Sequence, residues 1–204
     1  QTATKTVTTT VGAGQTVTTT KTESKFIDPI DNMEFDTLAE LKAHFDAAHP
    51  GGMHGVVTYV INGDPFVAKV EDNWTLAYVL RNKLGFTGSK RACDSGDCGF
   101  CTIIMNGRPI LSCMTLAIEA DGASIETVEG LANDGELSPL QQAFIDNDGL
   151  QCGMCTAAQI LTAKALLAFI PSPTVDEAKE FMAGTLCRCG AHPNIIKSIM
   201  AVAQ

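Results

Sequence analysis

The order of apolar and polar residues predicts strands in the middle of the chain and helices towards its end. Residues 56–61 (VVTYVI) and 65–70 (PFVAKV) read as two strands, and Asn62-Gly63 between them is typical of a tight hairpin turn. A helix is predicted over residues 74–85, ended by its glycine. Further strands are predicted at residues 101–105, 109–113 and 124–128, the first two around an Asn-Gly turn at 106–107. This order predicts a small α+β sheet domain over residues 55–130.

After residue 138 the pattern becomes helical. Residues 138–141 (SPLQ) have the sequence of a capping box with proline at the first helical position. A second helix is predicted from Thr156 to Phe169, followed by two prolines. Residues 174–177 (TVDE) form another capping box and open a third helix, and His192-Pro193 opens a fourth. These helices predict a helical bundle domain over residues 131–204.

Residues 1–54 form a predicted N-terminal arm ahead of the two domains. The first 20 residues contain ten threonines and repeat the pentapeptide TVTTT. This composition indicates either a polar linker or a β-hairpin that turns at Gly12-Ala13-Gly14. Residues 36–50 (DTLAELKAHFDAAHP) predict one amphipathic helix with Asp36 as its N-cap.

Charge and hydropathy limit the classes of partner. The net charge of -9 argues against nucleic acid or an anionic membrane surface. No stretch approaches 18 uninterrupted apolar residues, and the longest candidate, 160–170, contains Lys164, so no membrane span is predicted. The sequence begins at Gln1 without methionine, which trimming or removal of an export signal would explain. The threonine-rich start favours export to the periplasm after folding, with the cytoplasm as the alternative.

The eight cysteines fall in two clustered sets, and clustering favours metal binding over a disulfide framework. The sets are Cys93, Cys98, Cys101 and Cys113, and Cys152, Cys155, Cys187 and Cys189. The first set begins C-x4-C-x2-C, the spacing of plant-type 2Fe–2S ferredoxins. A four-cysteine zinc site is the alternative, although such sites favour two matching C-x2–4-C pairs. Gly96 and Gly99 are expected to let the first loop turn tightly and aim N–H groups at sulfur.

The second set contains an unusually close pair, Cys187 and Cys189. Residues two apart on a helix point about 200° away from each other, so this pair is predicted to lie in the loop before the last helix. Gly190 permits the turn there. Cys152 and Cys155 directly precede a predicted helix, whose free N–H groups favour negatively charged thiolates. A second site with four thiolates follows.

The complete pattern, C-x4-C-x2-C-x11-C and then C-x2-C-x31-C-x1-C, resembles the iron–sulfur subunit of molybdenum hydroxylases, the xanthine oxidase and aldehyde oxidoreductase family. The likeness covers residues 55–204 and includes CDSGDCGFCTI at 93–103, DGLQCGMCT at 148–156 and GTLCRCG at 184–190. It implies a ferredoxin-like β-grasp domain followed by a four-helix bundle. Each domain would carry one 2Fe–2S cluster, bound by the eight cysteines.

The resemblance also implies an electron-transfer subunit of an oxidoreductase, with no substrate site of its own. Electrons would come from a molybdopterin-type cofactor on a large partner subunit. They would pass through the second cluster and then the first to a flavin subunit carrying FAD, or to another acceptor. Gln151 and Cys189 match positions that approach the pterin, although an ordinary polar cap is the alternative role for Gln151. The implied substrate is an aldehyde; an N-heterocycle or purine oxidase and a free-standing ferredoxin-like carrier are the alternatives.

The sequence departs from the common pattern of the family in three places. Phe100 replaces alanine, residues 156–158 (TAA) replace Thr-Pro-Gly, and residues 190–192 (GAH) replace Thr-Gly-Tyr. The last variant resembles a branch that contains separate-subunit bacterial aldehyde and N-heterocycle oxidoreductases. These changes leave the cysteine pattern intact and leave the substrate class open.

Overall fold

The computed structural model describes residues 2–11, 15–24, 26–27, 33–48, 55–133 and 135–203. Within them the strands are β1 (Thr2–Val11), β2 (Gln15–Ser24), β3 (Phe26–Ile27), β4 (Glu34–Phe35), β5 (Val56–Ile61), β6 (Asp64–Lys69), β7 (Thr102–Met105), β8 (Arg108–Leu111) and β9 (Ser124–Glu126). The α-helices are α1 (Leu38–Ala48), α2 (Leu76–Tyr78), α3 (Pro139–Asp146), α4 (Thr156–Phe169), α5 (Val175–Met182) and α6 (His192–Val202). The chain divides into two compact units, one of residues 1–56 with 67–69 and the other of residues 57–66 with 70–204.

In the first unit the threonine-rich segment forms two paired strands. β1 and β2 are antiparallel, with Thr2 opposite Ser24 and Val11 opposite Gln15. The structure therefore agrees with the interpretation of this segment as paired strands and not with its interpretation as a linker. The turn predicted at residues 12–14 lies outside the described residues.

The helix α1 begins at a capping box whose N-cap lies one residue after the predicted one. The hydroxyl of Thr37 accepts the N–H of Glu40 at 3.2 Å, and the Glu40 carboxylate accepts the N–H of Thr37 at 3.1 Å. The prediction of Asp36 as N-cap is therefore wrong. The reciprocal bonds of the T-x-x-E pattern satisfy two free N–H groups, which a single aspartate cannot do. Leu41 of this helix is buried and belongs to a cluster with Phe35, Val56 and Val67.

A five-stranded sheet has the strand order β6-β5-β9-β7-β8. Strands β5 and β9 are parallel, whereas β7 is antiparallel to both β8 and β9. Both predicted Asn-Gly turns are present, with φ of 54° and 91° at Asn62 and Gly63 and of 50° and 77° at Asn106 and Gly107. Two consecutive left-handed residues match the right-handed twist of the flanking strands.

Two predicted strands end earlier than expected. The ladder between β7 and β8 stops at the pair Thr102 and Leu111. Residues Ser112–Met114 then form a 3₁₀ turn, so Cys113 lies just after the strand rather than on it. The reason is that β7 has no further residues to pair, since the cysteine loop precedes Thr102. Strand β9 likewise ends at Glu126 rather than at residue 128.

The helix predicted over residues 74–85 is shorter and partly of another type. Thr75 caps α2 by accepting the N–H of Tyr78 at 3.3 Å. The helix then widens into a π-helical segment, Val79–Lys83, and Gly85 follows with a φ of 82°. Leu76, Ala77, Val79 and Leu80 of the segment are buried, and Ala77 packs with Cys101 and Cys113.

The four helices predicted after residue 138 are present in the described part of the chain as α3 to α6. Ser138 and Gln141 form the predicted capping box, with bonds of 3.3 Å and 2.9 Å. Thr174 and Glu177 form the other, with bonds of 3.3 Å and 2.7 Å. None of the helices among the described residues is long and apolar enough to cross a membrane.

The helices share one core, and α4 also packs against the sheet. The helical core consists of Leu140, Phe144, Ile160, Ala163, Leu166, Ala178, Met182, Ala191, Ile195 and Ile199. On its other side, α4 places Leu161 and Ala165 against Ile104 of β7. Because α4 is buried on two sides, the sheet and the helices hold each other in place. The predicted boundary at residue 130 stays a prediction.

Candidate metal centres

The first cysteine loop, residues 93–101, is folded so that its N–H groups point at sulfur. Asp94, Gly96 and Gly99 have φ of 53°, 84° and 75°. These left-handed residues turn the backbone, and the N–H groups of Ser95 and Cys98 donate to Cys93 Sγ at 3.5 Å and 3.4 Å. The two donors lower the pKa of the exposed Cys93 thiol to about 6. The loop therefore favours a thiolate, which is the form that binds iron.

The other side of the first site is buried. Cys98, Cys101 and Cys113 are 8%, 3% and 5% exposed. Burial is the main cause that raises the pKa of Cys113 to about 11, and a hydrogen bond with the Cys101 thiol is the second cause. A thiol in such surroundings loses its proton readily only when a bound cation replaces the missing hydration. The first site thus has one sulfur at the surface and three inside.

The second site is assembled at the ends of two helices. Cys155 is the N-cap residue of α4 and is 8% exposed, and Cys152 lies one turn earlier at the surface. Cys187 and Cys189 lie in the loop before α6, as predicted, and Gly190 has a φ of 81°. The N–H of Ala191 donates to Cys187 Sγ at 3.4 Å.

The thiols of the second site form two pairs. The thiols of Cys155 and Cys187 are near enough to influence each other's pKa, and so are those of Cys152 and Cys189. Burial raises the pKa of Cys155 to about 12. The N–H of Met154 instead lowers the pKa of the exposed Cys152. Like the first site, the second therefore contains one exposed thiol of lowered pKa, Cys152, and one buried thiol of raised pKa, Cys155.

The arrangement of the cysteines by twos matches the ligand requirement of a 2Fe–2S cluster. A zinc site with four cysteines requires all four sulfurs about 2.3 Å from one ion. In a 2Fe–2S cluster, by contrast, each iron takes two thiolates. Two thiol pairs, with N–H donors aimed at sulfur, fit such a cluster.

Known proteins resemble this chain over both sites. The family of 2Fe-2S iron-sulfur cluster binding domains matches residues 59–127, and the family of 2Fe-2S binding domains matches residues 127–200. The aldehyde oxidoreductase iron-sulfur-binding subunit of Escherichia coli K12 is 40% identical over 174 residues, covering 78% of this chain and 76% of that protein. The nicotine 6-hydroxylase small subunit of Paenarthrobacter nicotinovorans is 46% identical over 140 residues, covering 69% of this chain and 84% of that protein. The chain belongs to the iron–sulfur subunits of the molybdenum hydroxylase family.

Solved structures agree with this family. A chain of quinoline 2-oxidoreductase from Pseudomonas putida 86 matches with a TM-score of 0.71 and 47% identity, over 72% of this chain and 91% of that one. The aldehyde oxidoreductase from Desulfovibrio desulfuricans matches with a TM-score of 0.70 and 33% identity, over 72% of this chain and 17% of that one. This chain therefore corresponds to most of the first protein's matched chain and to a small part of the second.

Within this family fold, the outer face of the second site is partly apolar. Gln151 is exposed beside Cys152, and Cys189 is exposed as well. Around them Leu150, Met154 and Leu186 are 39%, 38% and 53% exposed. Three large, partly exposed apolar side chains beside two exposed thiols could form a contact region.

The sequence interpretation missed the residues that join the two sites. The N–H of Leu186, next to Cys187, donates to the carbonyl of Cys98 at 3.0 Å. The reason Gly99 is glycine lies here too, because a Cβ atom at residue 99 would lie 2.3 Å from the carbonyl oxygen of Gly184. A Cβ atom at Gly96 would meet only side chains, Met114 at 3.2 Å and Leu111 at 3.9 Å. Gly99 thus serves close packing between the sites as well as the turn of the loop.

Proposed function

We propose that this chain is the electron-transfer subunit of a molybdenum–pterin oxidoreductase, with a 2Fe–2S cluster on each cysteine set. The observation that carries the proposal is the arrangement of eight thiols in two adjacent sites joined by one backbone hydrogen bond, from Leu186 to Cys98. The similarity to named iron–sulfur subunits supports it.

The finer architecture is part of the proposal. Residues 55–130 form the ferredoxin-like β-grasp domain, residues 131–204 form the four-helix bundle, and residues 1–54 form an arm. The mixed sheet β6-β5-β9-β7-β8 and the common core of α3 to α6 support the two folds. In this proposal α4, which packs against β7, connects the two domains.

The chain's own residues prepare the sites for the clusters. When bound, 2Fe–2S clusters supply one-electron redox chemistry. The first would be held by Cys93, Cys98, Cys101 and Cys113, and the second by Cys152, Cys155, Cys187 and Cys189. N–H donors such as those of Ser95 and Ala191 stabilise charge on sulfur, and burial of Cys101 and Cys155 keeps water from the inner side.

The exposed parts of the two sites indicate where the partners bind. We place the large molybdenum–pterin subunit at the second site, where Gln151 and Cys189 would contact the pterin and Leu150, Met154 and Leu186 would pack on protein. The first site offers Cys93 at the surface to the acceptor, which we propose is a flavin subunit carrying FAD. A free-standing carrier would not need the apolar face of the second site.

The substrate belongs to the large subunit. The names of relatives include an aldehyde oxidoreductase, a nicotine hydroxylase and a caffeine dehydrogenase. We propose an aldehyde as the substrate class, with an aromatic N-heterocycle as the second candidate because several relatives act on such rings by name. Among the described residues, the two cysteine sets account for the chemistry of this chain.

Metal analysis and native mass test this function together. We expect about four iron atoms per chain and two distinct EPR signals after reduction, one from each cluster. Zinc in a colourless protein would overturn the cluster assignment. The native complex should be much heavier than the 21.6 kDa of one chain. A native monomer of that mass with both clusters would favour the free-standing carrier instead.

A further inference from the structure

One fully buried glutamine lies between the two cysteine sites and takes no part in holding metal. Gln159 is on α4 with 0% of its side chain exposed, in a run of otherwise mostly apolar residues. Its Nε2 donates to the carbonyl of Thr185 at 2.9 Å, whereas its Oε1 has no hydrogen-bond partner among the described residues. A buried acceptor without a partner costs stability, on the order of 1–3 kcal/mol. Fold stability alone does not account for a glutamine at this position.

The bond from Gln159 acts on the peptide group that joins the two sites. The carbonyl of Thr185 and the N–H of Leu186 belong to the same planar peptide unit. That carbonyl accepts from Gln159, and that N–H donates to the carbonyl of Cys98 at 3.0 Å. Successive hydrogen bonds through one peptide polarise and strengthen each other, and between buried groups such as Gln159 and Thr185 the effect is larger than in water. A path of one hydrogen bond and the adjoining backbone thus connects Cys98 with Cys187, and Gln159 orients the peptide group within it.

The surroundings of this peptide leave little room for another orientation. Gly99 packs so closely that a Cβ atom there would lie 2.8 Å from the Cα of Thr185. The Thr162 hydroxyl lies 3.4 Å from the Thr185 hydroxyl, so it contacts the side chain of Thr185 and not its peptide group. The same hydroxyl donates a hydrogen bond to the carbonyl of Ala158. Gln159 is therefore the described side chain that holds the linking peptide by its backbone.

We propose that Gln159 is a positioning residue for electron transfer between the two sites. It fixes the plane of the Thr185–Leu186 peptide so that the Leu186 N–H bonds to Cys98. With 2Fe–2S clusters bound by the two cysteine sets, this peptide would lie between the site that gives up one electron and the site that receives it. The donor is the reduced molybdenum–pterin partner and the acceptor is the flavin or its equivalent, so this inference rests on the proposed function.

The variant Gln159→Met tests the proposal in the assembled complex. Methionine has a similar length and forms helices well, and it removes the unpartnered oxygen together with the donor, so the chain is expected to fold. The matched control is Thr162→Val, which removes a buried hydroxyl that contacts Thr185 but leaves the bond from Gln159 to the Thr185 carbonyl intact. Both variants should keep about four iron atoms per chain.

The first readout is hydrogen exchange of the Leu186 amide, measured by mass spectrometry on peptides from residues 184–190. We expect exchange to be on the order of tenfold faster in Gln159→Met than in Thr162→Val, because the donated bond weakens. The second readout is the rate of electron equilibration between the two EPR-distinct sites after rapid one-electron reduction. We expect it to fall at least about threefold in Gln159→Met and to stay at the wild-type value in Thr162→Val.

Equal exchange and equal rates in the two variants would overturn the proposal. If Gln159→Met fails to bind iron, Gln159→Leu is measured in the same way, and loss of iron in both would assign Gln159 to folding and also reject the proposal. Failure of the proposed function looks different, because the wild-type chain itself would then lack two clusters. A wild-type chain with both clusters and insensitive variants rejects this inference alone.

Discussion

Each cysteine site combines an exposed thiol of lowered pKa with a buried thiol of raised pKa, but the supporting backbone differs. In the first site, N–H groups within one loop surround Cys93. In the second site, Cys155 is the N-cap residue of α4, and Cys187 lies in the loop before α6. The first site therefore depends on local backbone conformation, whereas the second depends on how the core holds α4 and α6. This difference predicts that the two sites fail in different ways.

The largest expected effect is loss of one cluster without the other. Cys155→Ser removes a buried thiol, and serine is a favoured residue at the N-cap position of a helix such as α4. We expect iron to fall from about four to about two atoms per chain, and the EPR signal of the second cluster to disappear. Retention of the first signal shows that the loop site is independent of the helix-end site. Loss of both signals would contradict the comparison.

The pH dependence of the thiols separates the exposed and buried sulfurs of the first site. In the iron-free chain, the pKa of Cys93 is about 6 and that of Cys113 about 11. Alkylation at Cys93 should reach half its maximal rate near the lower value and at Cys113 near the higher one, as peptide mass spectrometry can measure. In the urea-unfolded chain both thiols should titrate at about 8.5.

The sign of the stability effect differs for these two thiols. The lowered pKa of Cys93 stabilises the folded chain above about pH 8.5, and this contribution is lost as the pH falls through about 6. The raised pKa of Cys113 stabilises it below about pH 8.5, and this contribution is lost as the pH rises through about 11. A common titration of both thiols in the folded chain would contradict the asymmetry.

Close packing between the sites is tested by two glycines of nearly equal φ. Gly99 has a φ of 75° and Gly107 one of 77°, but only a side chain at Gly99 would strike the backbone of Gly184 and Thr185. Gly107→Ala should cost about 1 kcal/mol for the left-handed backbone. Gly99→Ala should cost about 3 kcal/mol, because overpacking adds to the same term. Urea unfolding of the two iron-loaded variants measures the difference in the free energy of unfolding. Equal costs would show that the backbone of Gly184 and Thr185 can move away from residue 99.

The sequence predicted those features that depend on neighbouring residues. The capping boxes at Ser138 and Thr174 and both Asn-Gly turns are local patterns, and the structure contains them. The 3₁₀ turn at Cys113 was not predictable in this way, because it depends on where the partner strand ends. Gln159 gave one signal, a polar residue in an apolar helix, but its partner lies 26 residues away. Only folding brings that carbonyl within reach.

The smallest expected effect concerns Asp94, a non-glycine residue with a left-handed φ of 53° in the first loop. Arg91 binds both of its carboxylate oxygens, at 3.0 Å and 2.7 Å. Because the pair is partly exposed, Arg91→Met should cost less than about 1 kcal/mol. In Asp94→Gly, relief of the left-handed backbone should offset the lost ion pair.

A double-mutant cycle decides what Arg91 does in that loop. If Arg91 acts by holding the left-handed turn at Asp94, Arg91→Met should have almost no effect on the melting temperature in the Asp94→Gly background. The Arg91 guanidinium also lies 5.7 Å from the ring of Tyr78. An equal loss in both backgrounds would assign its contribution to that ring instead. The turn of the first loop would then be maintained by its own N–H···S bonds, which makes the loop site still more local than the helix-end site.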